Sequence, residues 1–234
     1  MAKQLALRVS LSDTASFSNF FAMGNEEAVQ ALTQAAARTR GLVYLFGPDG
    51  CGKTHLLYAA QRKARALGRN AVYLPLASLG APTAAIEALD ISGLICLDDV
   101  DAIAGADAAE RALMSLYDAV KQGGGACSIL ASATEPPAAA GFRLADLASR
   151  LASGTSYRLG LLDDAGKTAA LRLRAKIRGF DLPDDVVAYI MRHHARDNPS
   201  LFSLLDQLDS ASLVEQRRIT LRFLQQLERR TEDH

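Results

Sequence analysis

Residues 47–55 read GPDGCGKTH, and they satisfy the phosphate-binding pattern G-x-x-x-x-G-K-[ST]. Small glycines let backbone N–H groups curl around phosphate oxygens. Lys53 is placed to reach the β and γ phosphates, and the Thr54 hydroxyl is placed to bind Mg²⁺. A helix that opens here directs its positive dipole end at the anion. We therefore expect ADP or ATP with Mg²⁺ to contact the whole run, which comprises Gly47, Pro48, Asp49, Gly50, Cys51, Gly52, Lys53, Thr54 and His55.

Acidic residues follow a second apolar run, LICLDD at 94–99. At the end of a strand, Asp98 stands where Mg²⁺ or its water shell needs a carboxylate, and Asp99 is placed to orient an attacking water. The alternative for Asp98 is a helix cap or a solvated strand end, and the alternative for Asp99 is a residue with no catalytic part. Ser132 and Thr134 in SILASATEPP are either polar sensors of the γ-phosphate or ordinary turn residues.

Short apolar runs alternate with helical patterns over the first two thirds of the chain. The periodicity predicts helices over 54–68 and 106–124, and strands over 42–46, 70–76, 93–99, 126–132 and 155–159. Buried strands separated by helices favour an α/β fold with a parallel sheet that carries helices on both faces.

From residue 163 the pattern is helical only. Helices are expected over 163–179, 182–195, 198–218 and 220–230, with Pro183 at a first helical position, Asn198 as a cap and Pro199 in the first turn. We therefore place the boundary of an α/β domain, 17–161, and a small helical bundle, 162–234, near residue 161.

Composition narrows the classes of function. Of 234 residues, 49% are hydrophobic, enough to bury a core, and 26 basic residues balance 26 acidic ones, which argues against strong autonomous DNA binding. No apolar run of about 18 residues occurs, and the N-terminus shows no secretion signal. The dispersed cysteines Cys51, Cys96 and Cys127 exclude a cysteine-based zinc site.

Five segments together resemble one family over about residues 4–228. They are FSNFFAMGNEEAVQAL, GPDGCGKTHLL, LICLDDVDAIAG, ADLASRL and LFSLLDQLDSASLVEQRRIT. The chain resembles the DnaA-related AAA+ proteins, and most of all the Hda family, the regulatory inactivators of the initiator DnaA. The initiators carry a further helix-turn-helix domain, whereas this sequence ends one helix after the lid. The resemblance implies a five-stranded P-loop AAA+ sheet flanked by helices and followed by an all-α lid.

The resemblance also implies site residues. Arg150 in DLASR matches the arginine that AAA+ subunits project into a neighbour's nucleotide site, where guanidinium stabilises the transferred phosphoryl group. The alternative is a surface arginine paired with Asp146. Phe20 and Asn25 match base-proximal positions, although phenylalanines here are more often core residues.

The N-terminal segment, 1–16, contains QLALRV at 4–9. It resembles the Q-L-x-L-x-φ peptide by which replication proteins bind the sliding clamp, which predicts contacts from Gln4, Leu5, Leu7 and Val9. Arg8 departs from the usual aromatic or apolar residue, and the alternative is an edge strand or a disordered tail. The implied partners are the DNA polymerase III sliding clamp (beta) and a DnaA-type initiator, with DNA met only through the clamp, no membrane, and a possible homo-oligomer. The implied location is the bacterial cytoplasm, at the nucleoid through the clamp.

One position departs from the family. Pro199 stands where the family has a lid arginine that contacts nucleotide, and proline has neither charge nor N–H. Arg196 is the nearest substitute. We therefore expect weak or no intrinsic ATPase activity and stable retention of ADP. The resulting hypothesis is a clamp-dependent activator of hydrolysis of initiator-bound ATP, which prevents re-initiation. The alternatives are an AAA+ helicase loader and a non-catalytic scaffold.

Overall fold

The computed structural model describes residues 15–38, 41–194 and 197–232. The chain divides into two compact units, with the boundary between Leu161 and Leu162. Within the described ranges, no helix is both long enough and apolar enough to cross a bilayer.

The first unit is a five-stranded parallel sheet with helices on both faces, which confirms the predicted fold class. Its strands run in the spatial order β2-β3-β4-β1-β5. The strands are β1 (Leu42–Phe46), β2 (Ala71–Pro75), β3 (Gly93–Asp98), β4 (Cys127–Ala133) and β5 (Thr155–Arg158). The helices are α1 (Glu26–Ala37), α2 (Lys53–Ala66), α3 (Pro82–Glu87), α4 (Asp107–Gln122) and α5 (Ala145–Ala152), with 3₁₀ turns at Phe17–Asn19, Leu76–Ser78 and Val100–Ile103.

Alternation along the central strands divides the core between the two faces of the sheet. In β3, Leu94 and Cys96 pack with residues of α1 and α2, whereas Ile95 and Leu97 pack with residues of α3, α4 and α5. Both faces are therefore covered, which explains why these strands read as continuous apolar runs rather than as alternating ones.

The strand order places the candidate site residues at one edge of the sheet. Because all five strands are parallel, the carboxyl ends of β1, β3 and β4 lie at the same edge of the sheet. The loop 47–52 follows β1, Asp98 is the last residue of β3, and Ser132 lies near the end of β4. This is the edge at which open α/β sheets place their ligands.

A buried carboxylate joins α4 to the start of α5. Glu110 has no exposed surface, and its carboxylate accepts backbone N–H groups from Gly105 at 2.7 Å, Arg143 at 3.1 Å and Leu144 at 2.8 Å. Burial by itself raises the pKa of the Glu110 carboxyl, but the N–H donors outweigh it and hold that pKa below its ordinary value. Glu110 thereby connects the chain that leaves β3 to the segment that begins α5.

The second unit contains the helices α6 (Asp164–Ile177), α7 (Asp184–His193), α8 (Asn198–Glu215) and α9 (Leu221–Glu232), which share one apolar core. The expectation that Asn198 caps α8 is wrong. Asp197 is the cap, and its carboxylate accepts the backbone N–H of Ser200 at 2.8 Å. Helix α7 begins at Asp184, so Pro183 precedes the helix and does not occupy its first position as expected.

Two arginines near the C-terminal end of α6 have partners inside this unit. The guanidinium of Arg174 lies 3.5 Å from the ring centre of Phe202, and Arg178 forms an ion pair with Asp206. These contacts favour a structural role for Arg174 and Arg178 over contact with nucleic acid.

We predict that Glu110→Gln destabilises the α/β unit by about 1–3 kcal/mol, because a buried acceptor of several N–H donors loses its charge. The folded-state pKa of Glu110 lies below its unfolded value, so the stabilisation is present above that value and is lost as the pH falls through the folded-state pKa. Calorimetric unfolding from pH 7 to pH 3 measures both effects. Asp107→Asn is the matched control on α4, since that side chain is 52% exposed. Equal stability of Glu110→Gln and wild type would contradict the assignment.

Candidate nucleotide-binding site

Two glycines of the loop are required by close packing. A Cβ atom on Gly47 would lie 2.3 Å from the carbonyl oxygen of Leu159, and one on Gly52 would lie 2.6 Å from Cε2 of Phe20. Both residues also have positive φ, 154° and 101°. Leu159, which follows β5, and the Phe20 ring therefore pack so closely against the loop that only glycine fits at these two positions.

The ammonium of Lys53 lies inside this loop. Lys53 is only 5% exposed, and its Nζ donates to the carbonyl oxygens of Gly47 at 2.7 Å and Pro48 at 3.3 Å. The exposed carboxylate of Asp49 lies 3.7 Å away. A buried cation at the N-terminus of a helix is the donor set that a phosphate group requires, so the loop fits the predicted ligand.

The side chain of Asp98 is contacted by residues from several elements at this edge of the sheet. It is 2% exposed, and its carboxylate accepts three hydroxyl hydrogen bonds. Thr54 donates to Oδ2 at 2.8 Å, Tyr73 donates to Oδ2 at 2.6 Å, and Ser132 donates to Oδ1. The predicted magnesium residues Thr54 and Asp98 are thus brought into direct contact.

Tyr73 is the member of this cluster that the sequence analysis missed. Its ring stacks on Tyr58 with centroids 4.0 Å apart. Burial, and then the neighbouring Asp98 charge, raise the pKa of the Tyr73 phenol, which keeps it a donor. Tyr73 pairs with Cys96 in the sheet, and Cys96 shares a strand face with Asp98. Strand alternation therefore identifies Tyr73 once β2 is known to adjoin β3.

Asp99 has an unusual backbone and an unusual acidity. Its φ and ψ are 56° and 57°, and its N–H donates to the hydroxyl of Ser132 at 3.0 Å. Burial, and then the Asp98 charge, raise the pKa of Asp99 to about 6, against the opposing effect of Lys53. A carboxyl with this pKa changes protonation near neutral pH, which suits proton transfer.

The two candidate sensors lie in different settings. Ser132 is fully buried, and its hydroxyl is engaged with Asp98 and with the N–H of Asp99. Thr134 is exposed, and its N–H donates to Asp101 Oδ2 at 2.8 Å. Ser132 therefore orders the two acidic residues of the site rather than presenting a free hydroxyl.

Phe20, Asn25 and His55 join the segment before α1 to the site. The Phe20 ring contacts Gly52, and its centroid lies 5.5 Å from that of His55. His55 Nε2 donates to the carbonyl oxygen of Ser16 at 3.0 Å, and Asn25 Oδ1 accepts the N–H of Gly160 at 3.2 Å. These contacts explain why His55 and Asn25 are buried.

Cys51, in the same loop, is a buried neutral thiol. It is 5% exposed, and burial raises the pKa of the Cys51 thiol above its ordinary value. It therefore packs within the loop rather than acting as a nucleophile.

Arg150 lies outside this cluster. Its Nε donates to Asp118 Oδ1 at 2.8 Å, and its Nη1 lies 3.7 Å from Asp146 Oδ2. The sequence indicated Asp146 as the alternative partner, but the shorter contact is with Asp118 on α4. Neither partner belongs to the phosphate-binding loop or to the acidic pair at the end of β3.

Some sequence predictions cannot be compared with the structure. The clamp-peptide residues Gln4, Leu5, Leu7 and Val9, and the candidate lid residue Arg196, lie outside the described residues. Pro199 is the second residue of α8.

We predict that Asp98→Asn lowers the pKa of Asp99 from about 6, because it removes the neighbouring negative charge. The pKa stays above the ordinary aspartate value, because burial remains the larger cause. Carboxyl carbon shifts of labelled aspartate, followed against pH, measure this titration. Asp49→Asn is the control, since the charge of Asp49 has the smallest influence on the pKa of Asp99. A pKa that is unchanged by Asp98→Asn would contradict the proposed coupling.

Comparison with known proteins identifies both units. A family model described as "ATPase family associated with various cellular activities (AAA)" matches residues 43–140. A model described as "Hda, lid domain" matches residues 164–227. The first lies in the α/β unit, and the second lies in the helical unit.

Solved structures show the same fold. Domain III of the DnaA replication initiation protein from Thermotoga maritima is 18% identical, with a TM-score of 0.72 over 91% of this chain and 95% of that one. AMPPCP-bound DnaA from Aquifex aeolicus is 17% identical, with a TM-score of 0.66 over 94% and 70%. The RuvB Holliday junction branch migration motor from Thermotoga maritima is 18% identical, with a TM-score of 0.61 over 86% and 66%. With an AAA match on the α/β unit and an Hda lid match on the helical unit, the chain is an Hda-like AAA+ protein.

Proposed function

We propose that this chain is a nucleotide-binding regulator of replication initiation, which stimulates hydrolysis of the ATP bound to a DnaA-type initiator. The main observation behind the proposal is that the phosphate-binding cluster and Arg150 lie at separate places in the same α/β unit. Lys53, Thr54 and Asp98 form one assembled cluster, whereas Arg150 is held elsewhere by Asp118. An arginine that does not contact its own cluster is suited to another molecule's nucleotide.

The loop would hold ADP or ATP. The Lys53 ammonium would bind phosphate oxygens, and Thr54 with Asp98 would hold Mg²⁺, which neutralises phosphate charge. The described residues contain no group of three or more His, Cys, Asp or Glu side chains that could hold a metal ion. We infer that Mg²⁺ binding depends on the nucleotide phosphates. One similar structure, of Aquifex aeolicus DnaA, is itself bound to AMPPCP.

We further propose that hydrolysis at this chain's own site is slow. Asp99 has the acidity of a general base, but the family's lid arginine is replaced by Pro199. A site that binds phosphates without that cation retains its nucleotide, and ADP is the form we expect to co-purify.

Arg150 acts on the partner's nucleotide in this proposal. A guanidinium aimed at the transferred phosphoryl group stabilises the charge that develops there, which contributes about 10³–10⁵ in rate when supplied in trans. Docking on the DNA-loaded clamp through Gln4, Leu5, Leu7 and Val9 would bring Arg150 to the initiator on DNA. The balanced charge of the chain agrees with contact to DNA only through the clamp. We place this activity in the bacterial cytoplasm.

We predict that Lys53→Gln weakens binding of fluorescent ADP roughly 10- to 100-fold, because a charge-assisted phosphate contact is lost. Equilibrium titration by fluorescence anisotropy measures the affinity. Lys63→Gln is the matched control, since it removes the same charge from the same helix. Unchanged affinity in Lys53→Gln would show that the loop does not bind nucleotide as proposed.

We predict that Arg150→Ala abolishes stimulated hydrolysis of initiator-bound ATP, while ADP affinity stays at the wild-type level. The assay follows radiolabelled ATP on the initiator in the presence of clamp loaded on DNA. Arg143→Ala is the control, because this arginine is 68% exposed and lies just before α5.

The result also discriminates between the alternatives. Full stimulation by Arg150→Ala, together with its loss in a Gln4→Ala/Leu5→Ala variant, would identify a scaffold instead. Rapid ATP turnover by the isolated chain would favour a helicase loader.

A further inference from the structure

The contacts between α4 and α5 suggest how Arg150 is held. Asp118 accepts the Nε hydrogen of Arg150 at 2.8 Å, and the two side chains are 30% and 36% exposed. In the described part of the chain, Nη2 makes no hydrogen bond, and Nη1 has only a 3.7 Å contact with the 84%-exposed Asp146. The carboxylate thus holds the inner nitrogen of the guanidinium and leaves the terminal nitrogens available.

A second contact fixes the backbone of the same residue. The Ser153 hydroxyl donates to the carbonyl oxygen of Arg150 at 2.7 Å. Since that hydroxyl has one hydrogen, the Tyr117 hydroxyl 2.6 Å away is the donor to Ser153 Oγ. Tyr117 and Asp118 are consecutive residues of α4, so one short segment supports the carbonyl of Arg150 through Ser153 and contacts its side chain directly.

Burial of α5 restricts the helix that carries this arginine. Leu147 and Leu151 are 0% and 1% exposed in the core beneath α5. The backbone at Arg150 therefore has little freedom, and the remaining freedom lies in its side-chain torsions. An arginine loses up to about 2 kcal/mol of rotamer entropy when it is ordered, and a preformed contact reduces the part lost on docking.

We propose that Asp118 is a positioning residue for Arg150, which orders the guanidinium before the partner arrives and directs its terminal nitrogens at the partner's phosphate. This inference rests on the proposed function and adds a residue to it. Asp118 touches neither nucleotide nor phosphate in this account. It acts through Nε, the nitrogen that a phosphate contact by Nη1 and Nη2 leaves unused.

The test measures the maximal rate of initiator-bound ATP hydrolysis and the half-saturating concentration of this chain separately. Asp118→Ala is expected to lower the maximal rate about 10-fold or more, since misplacement by about 1 Å costs up to about 100-fold. Half-saturation and ADP affinity stay near wild type. Asp118→Asn, which keeps an oxygen acceptor for Nε, restores most of the rate. Asp146→Asn, the control on the distant carboxylate, has little effect.

An independent measurement reports the geometry without the partner. The Nε–H resonance of Arg150 in nitrogen-15 spectra is expected to exchange slowly with water in wild type and in Asp118→Asn, and rapidly in Asp118→Ala.

The outcomes separate this inference from the proposed function. Wild-type stimulation by Asp118→Ala, with Arg150→Ala inactive, overturns the positioning role alone. A faster rate in Asp118→Ala also overturns it and shows that the ion pair withholds the arginine. Full stimulation by Arg150→Ala overturns the proposed function and the inference together. A loss of rate in Asp118→Ala that comes with weakened ADP binding or a raised half-saturating concentration assigns the effect to folding or docking and overturns the positioning role.

Discussion

The buried carboxylate of Asp98 is the interaction on which the nucleotide edge of the α/β unit depends. A charge that is 2% exposed is tolerated only if its lone pairs are satisfied. The donors come from three separate elements, through Thr54 on α2, Tyr73 on β2 and Ser132 on β4. The strand order that places β2 and β4 on either side of β3 is what makes this possible. Ser132 in turn holds the N–H of Asp99, so the second acid is ordered by the first.

Helix α4 connects this edge to the arginine that we propose acts in trans. The Glu110 carboxylate accepts the N–H of Gly105, in the segment that follows β3, and the N–H of Leu144, just before α5. Two turns further along the same helix, Asp118 holds Arg150 at the other end of α5. The short helix α5 is thus fixed at both ends by carboxylates of α4. One carboxylate is buried and structural, whereas the other is partly exposed and contacts a side chain that also reaches solvent.

Much of this architecture could be predicted because its signals are local. The strand at 42–46 matches β1, since a continuous apolar run before a glycine-rich loop has few alternative interpretations. The cap of α8 was misplaced by one residue, because Asp197 and Asn198 are adjacent and both residue types favour that position. Local sequence cannot rank two such neighbours. Backbone geometry decided between them.

The residues that sequence reasoning missed depend on contacts distant in sequence. Tyr73 reaches Asp98 only because β2 adjoins β3, and Asp118 reaches Arg150 only because α4 packs on α5. Neither pairing has a spacing that a motif could record. The glycine at position 47 has a second cause that the sequence did not indicate, since Gly47 is also constrained by the carbonyl of Leu159. Close packing of Leu159 on the loop therefore requires a glycine at position 47 independently of phosphate binding.

The most direct test of the central claim is a structure of this chain bound to the initiator carrying a non-hydrolysable ATP analogue. We expect a terminal nitrogen of Arg150 at about 3 Å from the γ-phosphate of the initiator's nucleotide. We also expect that Nε still donates to Asp118, and that this chain's own loop holds a separate nucleotide. A complex in which Arg150 points away from the initiator's phosphates, with another side chain in their place, would contradict it.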